Sequence, residues 1–387
     1  MDFALTESQE MIRKEVATLA RSFSPDYWLD KDRKAEYPTE FVKAFADNGW
    51  LGLMIPEAYG GTGLGVTEAA IMLHEICASG AGTTGASPIH FYVFPSAPVV
   101  KYGTEAMKRT QLPKLCTGET VMAFGVTEPN AGTDTSRITT RAEKKGDRWM
   151  VNGRKVWTTN AQRANRILLL ARTSDRDPQK PLKGMTLFFT DFDRTAMTVR
   201  EIEKLGRAAV DSNEVVIENL AVPDADVVGT VGEGFYHLID SLNPERIVVG
   251  IEAVGIGRAA LERAVQYAKE RIVFDRPIGK NQAISHPLAY AAAQLYTAEL
   301  MCMKAAWLFD TGRPCGREAN AAKLMAAEAG FSACDVALQT FGGYGYAKEF
   351  HVERLWREVR LYKIAPISQQ MALNYLAEHV LGLPRSY

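Results

Sequence analysis

Trp149-Met150-Val151-Asn152-Gly153-Arg154-Lys155-Val156-Trp157-Thr158-Thr159 interrupts a chain that is helical in texture on either side. Trp149 and Val151 lead into Asn152-Gly153, a strong two-residue hairpin signal, and Val156 to Thr159 continues with β-favouring side chains. The spacing predicts two strands joined by a tight turn at Asn152-Gly153. Ile167-Leu168-Leu169-Leu170-Ala171, Met185-Thr186-Leu187-Phe188-Phe189 and Glu214-Val215-Val216-Ile217 predict further short strands. Several short strands with polar turns between them argue for a small barrel or sandwich over residues 121–228.

Before this region, residues 1–120 read as a helical domain. Thr6-Glu7-Ser8-Gln9 is a capping-box signal, because the Thr hydroxyl and the Gln side chain can each satisfy an orphan backbone donor. Ile12, Val16, Leu19 and Ala20 follow near helical spacing. Tyr59-Gly60-Gly61-Thr62-Gly63-Leu64-Gly65 predicts a loop with unusual φ values. After it, residues 229–387 return to long helices over about 246–271, 285–312 and 316–341, the last ending at Gly342-Gly343, a C-cap signal. Three or four long helices read as an up-down bundle. The expected fold class is therefore α+β and multidomain: an N-terminal helical domain, a middle β-barrel domain and a C-terminal four-helix bundle. A Rossmann fold needs strand–helix alternation, whereas this chain segregates its elements.

Composition bounds the function. The 387 residues carry 45 Lys plus Arg against 46 Asp plus Glu, a formal charge of −1, with 47% hydrophobic and 24% charged residues. That is ordinary for a globular protein and too even for a general electrostatic grip on nucleic acid. The five cysteines form no CxxC pair, and the six histidines show no HxxxH spacing. A disulfide framework or a metal site is not expected. The start, Met1-Asp2-Phe3-Ala4-Leu5-Thr6, has no basic or apolar leader region, and no stretch approaches a membrane span. The expectation is a cytoplasmic protein in a bacterium, or a mitochondrial-matrix protein in a eukaryote once a transit peptide is removed.

Two segments carry chemistry. Phe124-Gly125-Val126-Thr127-Glu128-Pro129-Asn130-Ala131-Gly132-Thr133-Asp134 is a turn with small hydroxyl residues and closely spaced N–H groups, able to approach a flat polar ring. Alone it reads more readily as a surface turn. Lys155 to Asn160 sets a Trp beside two threonines, an aromatic wall with hydroxyl donors. A core position is the commoner fate of a Trp on a strand.

Together these segments resemble the acyl-CoA dehydrogenase family. Thr127 to Asp134 matches its TEPxAGSD-like loop, with Thr133 for Ser, and Lys155 to Asn160 matches its KxWITN strand. Arg271-Ile272-Val273-Phe274-Asp275-Arg276-Pro277-Ile278 with Gln282 matches RxxFGxPIxxxQ, and Gln339 to Gly345 matches QxxGGxG. The resemblance implies an FAD enzyme that oxidises the α,β bond of an acyl-CoA thioester to the trans-2-enoyl-CoA and passes electrons to an electron-transfer flavoprotein. It implies flavin contacts from Phe124, Val126, Thr127, Trp157 and Thr159. It implies that Arg271, Phe274, Gln282, Gln339, Gly342 and Gly343 reach FAD in a neighbouring subunit of a homo-oligomer, a dimer of dimers. Thr133, Ser368 and Gln370 join the expected cofactor contacts, and Thr133, Asn243 and Arg246 the expected substrate contacts. Asp275 stands where the family usually has Gly.

The resemblance also locates a base. Most members place a Glu at the position of Pro366, which cannot accept a proton. A subset resembling isovaleryl- and long-chain-type enzymes supplies it from an earlier Glu-Arg pair, here Glu245-Arg246 in Leu242-Asn243-Pro244-Glu245-Arg246. Pro244 is a helix-start residue, so Glu245 falls in a first turn, where a helix dipole also suits an ordinary acidic residue. In the family the backbone N–H at position 366 helps polarise the thioester carbonyl, and proline has none. His90-Phe91-Tyr92-Val93-Phe94 lies near the expected acyl pocket and reads equally as helix-packing core. Same-fold flavin oxidases or monooxygenases and a catalytically silent binding homologue are the alternative readings.

Overall fold

The computed structural model describes residues 4–240 and 242–386. Met1 to Phe3, part of the leader reading above, lie outside them, as do Ser241 and Tyr387. Helices α1 (Glu7–Arg21), α2 (Pro25–Lys34), α3 (Thr39–Asp47), α4 (Val66–Ile76), α5 (Gly82–Val93), α6 (Ala97–Tyr102) and α7 (Glu105–Cys116) come first. The expected capping box opens α1: the Gln9 N–H donates to Thr6 Oγ1 at 3.2 Å, and the Thr6 N–H donates to Gln9 Oε1 at 3.0 Å.

Eight strands follow: β1 (Met122–Gly125), β2 (Arg141–Lys145), β3 (Arg148–Thr159), β4 (Arg166–Arg172), β5 (Met185–Asp191), β6 (Met197–Glu201), β7 (Ser212–Pro223) and β8 (Val227–Val228). They form one sheet in the order β6-β7-β3-β2-β4-β5-β8, with β1 parallel to β4. The third part holds α8 (Gly234–Ile239), α9 (Leu242–Glu270), a hairpin of β9 (Ile272–Val273) and β10 (Arg276–Pro277), then α10 (Gln282–Asp310), α11 (Gly316–Phe341), α12 (Val352–Val359) and α13 (Gln369–His379). The architecture is three-part, with helical N- and C-terminal domains around a middle β domain. No helix among the described residues is long and apolar enough to cross a membrane.

The hairpin expected at Asn152-Gly153 is not there. β3 runs unbroken through it, and the two-residue turn is Gly146-Asp147, between Lys145 and Arg148 of a direct β2–β3 pair. Asn152-Gly153 instead occupies an irregularity in the β3–β7 register, where the Asn152 side chain accepts from the Asn219 N–H. A side chain at Gly153 would begin 2.4 Å from Thr140 Oγ1, so the glycine serves close approach rather than a turn.

β4 sets the β domain against the helices. Ile167, Leu169 and Ala171 pack into a core inside the β domain, while Leu168 and Leu170 join the larger helical core. Successive strand residues face opposite sides, so an unbroken apolar run marks a strand buried on both. The same alternation in β5 sends Phe188 one way and Leu187 and Phe189 the other. This shared wall brings the end of β1 and the end of β3 to the helices.

Candidate active site

A buried ion pair fixes the loop after β1. Glu128 accepts from the Thr139 N–H at 2.6 Å, the Thr139 hydroxyl at 2.8 Å, the Thr140 N–H at 2.9 Å and the Lys155 ammonium at 2.9 Å. Lys155, fully buried on β3, also donates to the Val126 carbonyl at 3.0 Å. Burial alone would raise the Glu128 carboxyl, but the Lys155 charge and the donated hydrogen bonds outweigh it and hold it at about 2. Burial draws the Lys155 ammonium down to about 8 against the pull of Glu128, so both groups are ionised at pH 7. Two segments that the sequence presents separately are thus one clamped unit.

The clamp shapes the end of β3. The Val156 N–H donates to the Thr127 carbonyl at 2.9 Å, and the β3–β7 register shifts between Lys155 and Thr158. Trp157 leaves the ladder at φ 59° and is 57% exposed, while Thr158 and Thr159 stay buried. The core-Trp reading therefore does not hold for Trp157. A bulky residue at positive φ is an outlier that points to function. Phe124 is half-buried, with Phe94 against it edge-on at 5.5 Å. Arg207 donates to Thr159 Oγ1 at 3.2 Å, Ser212 Oγ at 2.7 Å and Ser87 Oγ at 3.2 Å, tying the end of β3 to α5.

One turn beyond Ser87 on α5 lies His90, on the same face. Its Nε2 is 2.8 Å from Glu245 Oε2 and its Nδ1 is 2.7 Å from Glu252 Oε1. Glu245 and Glu252 stand two turns apart on one face of α9. The Tyr362 hydroxyl donates to Glu252 Oε2 at 2.6 Å. All four residues are buried, His90 being the most exposed at 6%. Burial would lower the His90 imidazole, but the charges and hydrogen bonds of Glu245 and Glu252 hold it well above its ordinary value. Burial, with Glu252 beside it, pushes the Tyr362 phenol well up.

Arg246, next along α9, faces elsewhere. Its Nη1 donates to Asn243 Oδ1 at 3.1 Å, and it lines a cavity of about 350 Å³ with Ile367, Met371 and Tyr375. Its Nε is buried with no hydrogen-bond partner among the described residues. Ser368 caps α13 by accepting from the Met371 N–H at 3.3 Å, and Gln370 is exposed. Thr133 is exposed on the clamped loop.

The remaining expected residues gather at the opposite end of α9, about 38 Å from Glu245 at 1.5 Å rise per residue. Phe274 and Asp275 form the two-residue turn of the β9–β10 hairpin at φ 51° and 62°. Two positive φ values suit a type I′ turn, which an Asp can enter in place of Gly. Phe274 is 93% exposed. The Arg271 guanidinium lies 5.8 Å from the Tyr344 ring, which joins this hairpin to the turn at Gly342-Gly343. Gln282 and Gln339 are exposed. Within one chain the structure brings Phe124, Trp157 and Thr159 together at one place and the Arg271 group at another.

Models of the acyl-CoA dehydrogenase N-terminal, middle and C-terminal domains match residues 6–119, 123–220 and 232–381. The chain belongs to the acyl-CoA dehydrogenase family. It is 37% identical to acyl-CoA dehydrogenase fadE12 of Mycobacterium bovis over 390 aligned positions, covering 100% of this chain and 99% of the relative. A solved glutaryl-coenzyme A dehydrogenase in complex with glutaryl-CoA superposes with TM-score 0.94 at 31% identity, covering 100% of this chain and 98% of that one. A second solved chain, described as an electron transferring flavoprotein of Acidaminococcus fermentans, gives TM-score 0.93 at 31% identity over 98% and 100%. The protein is an oxidoreductase acting on acyl-CoA.

Acyl-CoA dehydrogenases bind FAD, and the residues present here fit it. Trp157 offers an exposed aromatic face, and Thr159 and the clamped loop supply polar groups beside it. Arg271 supplies an exposed guanidinium suited to phosphate oxygens. Nothing lies within 4 Å of where a side chain would start at Gly342 or Gly343, so a ligand can approach that backbone. Sequence reasoning named these residues, quoted Lys155 and Glu128 without giving them a role, and missed Glu252 and the role of His90. The i, i+7 pair of glutamates on an otherwise apolar helix face was the available signal for Glu252.

Trp157 separates cofactor binding from folding. Trp157→Ala is expected to change the stability of the FAD-free acyl-CoA dehydrogenase chain by no more than about 0.5 kcal/mol, because the side chain is mostly exposed. FAD affinity is expected to fall about tenfold, the size of one lost aromatic contact. Urea denaturation and FAD titration measure the two, and an unchanged affinity removes Trp157 from the cofactor contacts.

Proposed function

We propose that this chain converts an acyl-CoA thioester to its trans-2-enoyl-CoA, with Glu245 as the base that takes the α-proton. The observation that carries this reading is a buried carboxylate in the first turn of α9, held by a hydrogen bond at one oxygen and linked through His90, Phe94 and Phe124 to the expected flavin side of the pocket. His90 occupies Oε2, which leaves Oε1 to meet the substrate. FAD, when bound, supplies the acceptor for the hydride that leaves the β-carbon. Phe124, Val126, Thr127, Trp157 and Thr159 would hold its ring, with Thr133, Ser368 and Gln370 nearby. Asn243, Arg246 and Thr133 would contact the CoA thioester, and the unpartnered Arg246 Nε supports that role.

Arg271, Phe274, Gln282, Gln339, Gly342 and Gly343 would serve the pyrophosphate and adenine half of FAD in a neighbouring chain of a homo-oligomer. Their exposure and their distance from Glu245 along α9 support this assignment. Electrons would pass on to an electron-transfer flavoprotein. Membership of the acyl-CoA dehydrogenase family is what supports this partner.

Anaerobic titration of the FAD-loaded protein with a panel of acyl-CoAs tests the reading. At least one acyl-CoA is expected to bleach the flavin absorbance and yield an enoyl-CoA. A protein that takes up no FAD, or that bleaches with no member of the panel, overturns it. Rapid oxygen consumption in place of reduction of an artificial acceptor would make it an oxidase.

A further inference from the structure

We propose that His90 is a positioning residue for the base, and that Glu245, His90 and Glu252 hold the abstracted proton as one unit closed by Tyr362. The proposal rests on the reading of Glu245 as the base. The geometry that carries it is the use of both ring nitrogens of His90, at 2.8 Å and 2.7 Å, by carboxylates two turns apart on one helix. Each of the two hydrogen bonds needs a proton between its atoms. With both carboxylates ionised, the ring must donate from both nitrogens and is an imidazolium. The resting unit then carries one net negative charge: two carboxylates and one cation.

The proton balance follows. The Cα–H bond breaks, its electron pair becomes the new double bond, and the proton goes to Glu245 Oε1. The β-hydrogen leaves as hydride with its own electron pair, the acceptor being the FAD proposed above. The unit passes from one net negative charge to zero, and the Nε2–H···Oε2 bond can persist throughout. His90 thereby does two things for this buried carboxylate. It offers Oε2 a charged hydrogen-bond donor, and it fixes which oxygen points to the substrate. Glu252 makes the cation possible, and Tyr362 fixes the outer oxygen of Glu252.

The charged and titratable groups around the unit come from several elements. Glu245 and Glu252 come from α9, and Tyr362 from the segment after α12. Arg207, from the loop between β6 and β7, acts electrostatically on Tyr362 and Glu252. Cys77 and Glu358 also act electrostatically on Tyr362. Among the described residues no second cation bonds to the Glu245 oxygen that His90 holds, while the neighbouring Arg246 acts on Glu245 electrostatically. The unit draws on α5, α9 and the chain after α12, so it exists only in the assembled fold.

Nitrogen-15 NMR of histidine-labelled, FAD-loaded protein tests the proposal without turnover. The His90 ring signal is identified by its loss in His90→Gln. It is expected to show both nitrogens protonated from pH 6 to pH 8, and to titrate at lower pH in Glu252→Gln. A His90 ring that titrates near the ordinary value of about 6.5 overturns the proposal. The second readout is the pH profile of kcat/KM. In His90→Gln the acid limb is expected to move up by about one pH unit, which lowers kcat/KM about tenfold at any pH below it. A purely structural role would leave the limb in place, and that result counts against the proposal. Turnover surviving in Glu245→Gln overturns the base assignment and the proton-holding role with it. A neutral His90 beside an inactive Glu245→Gln overturns the proton-holding role alone.

Discussion

Glu245→Gln is expected to lower the rate of flavin bleaching by an acyl-CoA about 10²–10⁴-fold, the usual contribution of a positioned proton acceptor. The amide has the shape of the carboxylate, and its oxygen can still accept from His90 Nε2. The buried packing around the first turn of α9 is therefore kept, and what disappears is the capacity to take a proton. FAD content is expected to be unchanged, because Glu245 is not among the residues assigned to the cofactor. Stopped-flow reduction under anaerobic conditions measures the effect. A variant that bleaches at the parent rate removes Glu245 from the chemistry. Because Pro366 offers neither a carboxylate nor a backbone N–H, no acid at that position could make up the loss.

Lys155→Met is expected to reduce stability by about 3–5 kcal/mol, the cost of stranding one member of a buried ion pair. Methionine fills most of the volume but donates nothing to Glu128 or to the Val126 carbonyl. The hydrogen bonds from Thr139 and Thr140 remain, and they now hold an uncompensated buried charge. The pH dependence carries a definite sign. In the parent chain the Glu128 carboxyl sits at about 2 when folded, against 4.5 as its reference value. Its contribution is thus fully present above about 4.5 and is lost as pH falls towards 2. The gap between parent and variant is expected to be widest near pH 7 and to narrow through that acid range. Urea denaturation at several pH values measures it. The double variant Glu128→Gln with Lys155→Met is expected to recover a large part of the loss, since no charge is left stranded. Equal destabilisation in single and double variants would assign the effect to packing instead.

The three-part architecture was legible because its signals are local. Capping residues, apolar spacing and glycine clusters each act within a few residues, and the capping box at Thr6 and the long helices follow from them. The error at Asn152-Gly153 has the same origin. That dipeptide suits a tight turn in isolation, but the strand pairing is set by Gly146-Asp147 and by close approach to Thr140. Trp157 was legible as an aromatic beside hydroxyls, yet its exposure goes with a bulge next to the Lys155–Glu128 pair. The contact of His90 with Glu245 joins residues 155 positions apart. Nothing in either local segment announces it. The resemblance singled out Glu245, but only the packed helices show what stands behind that carboxylate.

The two-sided burial of β4 has a consequence for how this chain can vary. Inserting or deleting one residue there would exchange the side chains delivered to the two cores, because register and facing are locked together. Leu168 and Leu169 are neighbours in sequence, yet they answer to different packing neighbourhoods. The strand therefore works as a parity constraint on its own length, and the site between β domain and helices inherits it. A lineage can lengthen or shorten the strand itself only in steps of two.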